Sequence, residues 1–356
     1  MKIAVTGYYG FSNYGDNLFI IASKLGADEY WMEDELIFIS PPIRGLEANY
    51  IVPGWFPKDV YYNMGLFGKL SRMYFFILAM FKSKAILNAG GSTISSSASF
   101  SKFKIQILMK KFFKKKIMGI GLSIGPFISR YDEDKAIQLI QKFDFLAVRD
   151  KRSCKFISNL ESNKKISCST DLVAIIAKKY NFDKVTKQAN IIGVSLMQFD
   201  DNYKDGSGTP IDVEKSILTI LEYAREHESI VRVFILNSHP INGDIKISEK
   251  FIVMLKQSKM QYERISIDMG TLEVWGKISE CSMMFTYRLH GAITAYLSNV
   301  PFYLFEYHQK CTDFLDDIAY KEPSSEKIEK PNSSYKNYIE KSRKNFTIMR
   351  ESNEKT

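Results

Sequence analysis

Short apolar runs punctuate the chain, each bounded by glycine or polar residues. Residues 2–6, 36–39, 85–88, 117–122 and 145–148 are such runs. They are continuous rather than alternating, the pattern of strands covered on both faces. Helical periodicity fills the intervals, for instance over 17–24 and 133–143. Strands that alternate with helices predict a doubly wound parallel sheet. A polar stretch follows at 178–189, and the alternation then restarts with runs at 191–196, 230–236, 282–286 and 302–305. The expected architecture is α/β, with two Rossmann-like domains facing a central cleft. The first would span 1–180 and the second 187–325, followed by a polar tail, 326–356, with one helix near 335–349. No sequence repeat recurs at a fixed period.

A length of 356 residues suits two domains. No secretory signal is expected, because only three apolar residues separate Lys2 from Thr6-Gly7. The longest clean apolar run, 73–81, has nine residues. In a helix these span about 14 Å against about 30 Å of hydrocarbon, too short to cross a bilayer. The four cysteines show neither a CxxC pair nor zinc spacing, so a cytoplasmic, reducing location is expected. The four histidines are too scattered to suggest a metal cluster, and no cofactor is expected.

The charge changes the picture. The chain is +9 overall, but residues 51–120 hold 12 Lys and Arg against the single acid Asp59. That segment is therefore +11 and the rest of the chain −2. Such a field suits an anionic substrate or surface; the alternative is a solvated lysine-rich face. A helix expected over 103–116 puts Ile105, Leu108, Met109 and Phe112 on one face, with Lys104, Lys111 and Lys115 largely on the other. Either it lies on an anionic membrane or it covers the sheet with its lysines in water. No nucleic-acid recognition fold accompanies the basic segment, so nucleic acid is not an expected partner.

The candidate chemistry lies where the strands end. Tyr287-Arg288-Leu289-His290-Gly291 follows the run 282–286 and opens a second apolar run. Open α/β sheets bind ligands outside the carboxyl ends of their strands. Arg288 offers two parallel hydrogen bonds to a carboxylate or phosphate. His290 carries a proton near neutral pH, unless it is simply a core histidine. Arg149 ends the run 145–148; the alternative for it is a surface pair with Asp150 or Asp144. The first turn, from Gly7 to Asp16, has glycines spaced unlike the dinucleotide fingerprint, and no Walker-type lysine is present. The glycines let backbone amides approach an anion at a helix start, or Asp16 there is a plain helix N-cap. Gly90-Gly91-Ser92 and Ser123-Ile124-Gly125-Pro126 are expected turns, and Lys310 adds a cation after the last run. His239, in Asn237-Ser238-His239-Pro240, is structural or functional.

In these residues the chain resembles the polysaccharide pyruvyl transferase family. The first turn reads G-x-x-G-x-x-N-x-G-D through Asn13 and Asp16, followed by Gly90-Gly91-Ser92 and a G-x-S-x-G-P turn from Gly121 to Pro126. Then come Arg149-Asp150 with Ser153, Thr170-Asp171, and Arg288-Leu289-His290-Gly291 with Pro301 and Lys310. Asn299 stands where the family has a glycine. The resemblance covers about residues 1–315. It implies a GT-B-like fold and transfer of pyruvate from phosphoenolpyruvate to two sugar hydroxyls, forming a cyclic ketal and releasing phosphate. Donor binding would fall to Arg149, Arg288, Lys310, Leu289, Gly291, Ser123 and His239. Acceptor binding would fall to Asn13, Asp16, Gly91 and Ser92, with His290 as acid and Asp16 at the acceptor hydroxyl. No metal is implied. A lipid-diphosphate-linked sugar at the inner face of the plasma membrane would give the basic segment 51–120 a use. The alternatives are a glycosyltransferase with Glu306 on a ribose, or a non-catalytic scaffold of polysaccharide assembly.

Overall fold

The computed structural model describes residues 1–32, 34–96, 101–160, 165–199, 211–320 and 335–347. The chain divides into two compact units. Unit 1 takes Met1–Phe11, Asp16–Ile176 and the C-terminal residues from Tyr338; unit 2 takes Ser12–Gly15 and Ala177–Asn337.

In unit 1, seven strands among the described residues form one sheet. They are β1 (Lys2–Thr6), β2 (Glu35–Phe38), β3 (Asn49–Tyr50), β4 (Ala85–Ile94), β5 (Lys116–Ile124), β6 (Phe145–Val148) and β7 (Lys165–Cys168). Their order is β3-β2-β1-β4-β5-β6-β7, every pair parallel. The order reverses between β1 and β4, so their carboxyl ends form the switch point where such sheets open for ligands. After its first residue β5 is buried throughout, which is why it appears in the sequence as an unbroken apolar run.

Unit 2 repeats the plan with β8 (Gln188–Ser195), β9 (Ile230–Ile235), β10 (Tyr262–Ser266), β11 (Cys281–Thr286) and β12 (Phe302–Leu304). The order is β10-β9-β8-β11-β12, again parallel, and the reversal falls between β8 and β11. The Arg288–Gly291 segment leaves β11, at the carboxyl side of that switch point.

Several expectations change. Gly90-Gly91-Ser92 is not a turn: it lies inside β4, with φ of +73° and +87° at the glycines and a register shift against β5 beyond Gly91. A Cβ at Gly90 would stand 2.4 Å from the Phe19 ring, so only glycine lets the strand pass that close. Ser123 and Ile124 likewise belong to β5. The helix expected over 103–116 runs Ser101–Phe113, and its buried face differs from the one expected. Asn88 and Gln106 exchange hydrogen bonds through both amides, 2.9 and 3.0 Å, and this pair fixes the helix's rotation. Phe103 and Met109 then face the sheet while Leu108 and Phe112 point to solvent. Lys115 lies beyond the helix, buried, donating to the Ser83 carbonyl. Cys154 and Cys168, unpaired in the sequence reading, are joined as a disulfide, with Cα atoms 5.6 Å apart. Among the described residues no helix is long and apolar enough to cross a membrane.

The C-terminal segment docks on unit 1. The expected tail helix is described as Tyr335–Ser342 followed by a short 3-10 turn, Arg343–Asn345; positions 348 and 349 lie outside the described residues. Asn345 accepts from the Gly121 amide at 2.9 Å and donates to the Thr170 carbonyl at 3.2 Å. Phe346 packs against Trp31, whose indole donates to the Phe346 carbonyl.

Candidate active site

The site in unit 2 is assembled from its strand ends. Arg288 is the N-cap residue of the helix Leu289–Leu297, held there because Thr286 Oγ1 accepts from its amide. Its guanidinium grips Asp244 with two bonds, Nε to Oδ2 at 2.8 Å and Nη2 to Oδ1 at 2.5 Å. Asp244 is fully buried, and burial raises its pKa against the pull of Arg288. Arg288 is therefore a directed donor in an ion pair rather than a loose surface cation. Gly291 brings the helix onto the strand end, since a Cβ there would lie 2.6 Å from Thr286 Oγ1. Leu289 is buried and anchors the same turn.

His290 is half-buried and meets the chain's first turn. A Cβ on Gly15 would fall 2.0 Å from His290 Nδ1, so the ring rests directly on the Gly15 backbone. Neighbouring contacts fix this packing. Tyr14 N donates to the Leu236 carbonyl, Ser238 N to the Ser12 carbonyl, and Asn13 bridges Asn237. Tyr14 Oη and Thr294 Oγ1 are 3.2 Å apart, and Thr294 donates to the His290 carbonyl. Asn13–Gly15, expected from the first domain, thus belongs to unit 2, because its backbone bonds go to the end of β9. Asn13 Oδ1 accepts from the Gly15 amide, capping the helix Tyr14–Tyr30. Asp16 is therefore not the cap; it sits in that helix's first turn.

His239 is buried, and its Nδ1 accepts from the amides of Ile241 and Asn242. The ring builds the turn that delivers Asp244, which fixes its neutral tautomer as Nε2–H. Lys310 starts the helix Gln309–Asp317, capped by the His308 ring, and its ammonium lies 5.0 Å above the Tyr307 ring. Phe199 meets both Tyr287 and Tyr307 edge-on, at 5.4 and 5.5 Å. Burial, and then Cys311, push the Tyr307 hydroxyl up, while Arg288 pulls it down. Glu306 accepts from Thr312 at 2.5 Å.

In unit 1 Arg149 is buried, donating from Nε to Ser123 and from Nη1 to Asp171, each at 2.7 Å. Its partner is Asp171, not Asp150 or Asp144. Asp150 caps the helix Lys151–Ser158 through Ser153, and Asp144 pairs with Lys110. Burial opposes the Arg149 charge, but Asp171 and then Asp150 raise its pKa overall. Tyr338 Oη accepts from the Asp171 amide at 3.2 Å. Apart from this cluster, Asp16 is half-buried near Tyr8 and Tyr9, and Gly91 and Ser92 are half-buried in β4. Burial, and then Asp16, push the Tyr9 hydroxyl well above its usual value.

The sequence reading missed Asp244 and Tyr338, and named Asn237 and Tyr307 only as members of the segments that carry His239 and Lys310. Asn242-Gly243-Asp244 carries a turn signal, but nothing local shows that Asp244 meets an arginine 44 residues on. Among the described residues no group of three or more His, Cys, Asp or Glu is placed to hold a metal ion.

Solved structures share this fold at low identity. The UDP-GlcNAc 2-epimerase from Neisseria meningitidis, bound to UDP-GlcNAc, superposes with a TM-score of 0.61 at 13% identity, covering 100% of both chains. The UDP-GlcNAc 2-epimerase from Methanocaldococcus jannaschii gives 0.56 at 10% identity, covering 99% of this chain and 100% of its own. The one from Rickettsia bellii gives 0.56 at 9% identity, covering 99% and 96%. At such identities these similarities establish the GT-B-like fold alone. No curated protein sequence matches the chain. The family model described as polysaccharide pyruvyl transferase matches residues 13–309, from the asparagine bridged to Asn237 to the residue before Lys310, and the chain belongs to that family.

Proposed function

We propose that the protein moves the pyruvyl group of phosphoenolpyruvate onto two hydroxyls of one sugar in a polysaccharide precursor, closing a cyclic ketal and releasing phosphate. Family membership makes it a pyruvyl transferase of polysaccharide biosynthesis; the donor, the ketal and the acceptor go further. The observation that carries the reading is the seating of the His290 ring on Gly15, two residues after the arginine of the Arg288–Asp244 pair, at the carboxyl end of β11.

The donor carries a carboxylate and a phosphate, so it needs cations of fixed direction. Asp244 aims Arg288, and Lys310 adds net charge that the paired arginine does not. His290 protonates the methylene carbon, generating a cationic centre at the carbon bearing the phosphate. Phosphate charge nearby favours the protonated imidazole. One sugar hydroxyl adds to that centre and loses its proton. The carbon–oxygen bond to phosphate then breaks, and the second hydroxyl closes the ring, losing its proton in turn. Of the two hydroxyl protons, one balances the proton delivered to carbon and the other leaves with phosphate. Arg149 and Asp16 keep the roles given them above, donor binding for Arg149 and orienting or deprotonating the acceptor hydroxyl for Asp16, each testable by its own substitution.

The test is phosphate release from phosphoenolpyruvate with a panel of lipid-linked and synthetic sugars, comparing the native chain with His290→Ala and His290→Gln. Acceptor-dependent release that falls by about 10²–10⁴-fold in both variants is expected for loss of a general acid. Release that survives both substitutions moves the acid to another residue. No binding of phosphoenolpyruvate in calorimetry would overturn the donor assignment and favour a nucleotide-sugar donor.

A further inference from the structure

The helix Leu66–Lys82 is apolar on both sides. Its inner face, with Phe75, Phe76, Ala79 and Met80, is buried in unit 1. Its outer face carries Phe67, Leu70, Tyr74 and Phe81, spaced three, four and seven residues apart and 80%, 57%, 61% and 57% exposed. At helical spacing these four form one stripe about 21 Å long. The outer face of a sheet-covering helix is ordinarily polar. The stripe continues onto the next helix, where Phe81 meets Phe113 edge-to-face at 5.5 Å and Phe112 is also exposed. Scattered exposed apolar residues need no explanation, but a contiguous patch marks an interaction surface.

Its charge identifies the occupant. Lys82, Lys84, Lys111 and Lys114 are all exposed and cluster where the two helices end. These ends are neighbours, because Lys115 bonds the Ser83 carbonyl and Ala85 pairs with Lys116 in the sheet. Lysine at a helix C-terminus is favourable by itself, but that does not account for the near absence of acids across 51–120. Ordinary solvated faces intersperse both signs. A second copy of the chain would bring two like-charged faces together, which disfavours self-association. A surface both anionic and apolar just beneath matches both features, with aromatic rings entering the headgroup region and lysines at the phosphates.

We infer that the outer face of the helix Leu66–Lys82, with Phe112, Phe113 and the lysines at the two helix ends, docks unit 1 on an anionic lipid surface. This inference stands apart from the chemistry proposed above. The stripe would lie along the interface plane, with none of the helix spanning it, and long lysine stems would keep their charges in the headgroup layer.

The test is flotation of the full chain with phosphatidylcholine vesicles, with and without phosphatidylglycerol. Binding at least tenfold stronger to the anionic vesicles is expected, weakened but not abolished by high salt. Phe67→Ser/Leu70→Ser/Phe81→Ser should lower binding at least tenfold at any salt. Lys82→Glu/Lys111→Glu/Lys114→Glu should erase the preference for anionic lipid. Phosphate release on a water-soluble acceptor should be unchanged in both triple variants, which separates failure of docking from failure of the reaction. Hydrogen exchange on the native chain needs no variant: vesicles should slow exchange in 66–82 and 108–114 and leave the rest unaltered. No binding to anionic vesicles, protection confined to other segments, or both variants floating like the native chain would overturn the inference. So would a native dimer in sedimentation that dissociates in the Phe67→Ser set, since the face would then belong to a second copy.

Discussion

Gly15 has no side chain because His290 fills the space one would need. The ring nitrogen that a Cβ would meet at 2.0 Å belongs to the residue assigned the proton transfer. A methyl group there must move the imidazole or the backbone beneath it. Overpacking of this kind costs about 1–3 kcal/mol, while displacing a positioned acid by an ångström costs about 10²-fold in rate. Gly15→Ala should therefore fold with a modestly lowered melting temperature and lose most of its acceptor-dependent phosphate release. Melting curves and release rates on the same preparation check this, and near-native release would show that the contact does not position the acid. His239 differs in kind: its Nδ1 is committed to two backbone amides, so its contribution is to shape the turn that carries Asp244.

At the scale of elements, the C-terminal turn Arg343–Asn345 completes unit 1 with polar bonds. The Asn345 side chain satisfies the Gly121 amide and the Thr170 carbonyl, both buried against it. Leaving such groups unpaired costs about 1–3 kcal/mol each. Asn345→Ala should destabilise unit 1 by about 2–4 kcal/mol in urea unfolding, and a loss below 0.5 kcal/mol would indicate that water replaces the amide. The tail helix was expected from the sequence, but its bonds to Gly121 and Thr170 were not. The central strands β1, β4, β5, β8, β9 and β11 were legible because burial on both faces leaves uninterrupted apolar residues. The edge strands β3 and β10 were not: β3 spans only Asn49–Tyr50, and β10 is nowhere fully buried. The Arg288–Gly291 and Asn13–Gly15 motifs were legible as local patterns. Their partners Asp244 and Asn237 were not, because those contacts join segments far apart in sequence, where neither periodicity nor spacing leaves a trace.

For the whole molecule, buried thiols set a limit on the alkaline side. Burial pushes the Cys281 thiol up to about 12, against the pull of Arg232, and the Cys311 thiol up to about 11. An unfolded cysteine titrates near 8.5, so above that pH the unfolded chain binds fewer protons than the folded one and stability falls as pH rises. For Cys281 this contribution is intact below about pH 8.5 and is lost progressively up to about 12. Cys281→Ala should lose less stability than the native chain between pH 8.5 and 10, by about 2 kcal/mol over that interval. Chemical unfolding at the two pH values measures it, and equal slopes in both proteins would refute the assignment. In the native state both thiols should resist alkylation at pH 8, since thiolate is the reactive form.

The four-residue segment Ser12–Gly15 is made well before the rest of the unit it completes, whose other residues begin at Ala177. Tyr14 waits 280 residues for Thr294, roughly a quarter of a minute to a minute at the pace of a ribosome. Asn345 is made later still, and Gly121 waits for it. Neither unit of the nascent protein can therefore finish before these late residues have been made. A chain stopped before them leaves the Tyr14 hydroxyl without Thr294 and the Gly121 amide within β5 without Asn345, a substrate for chaperone or protease. The bonds that seat the histidine thus also record that synthesis has passed Thr294.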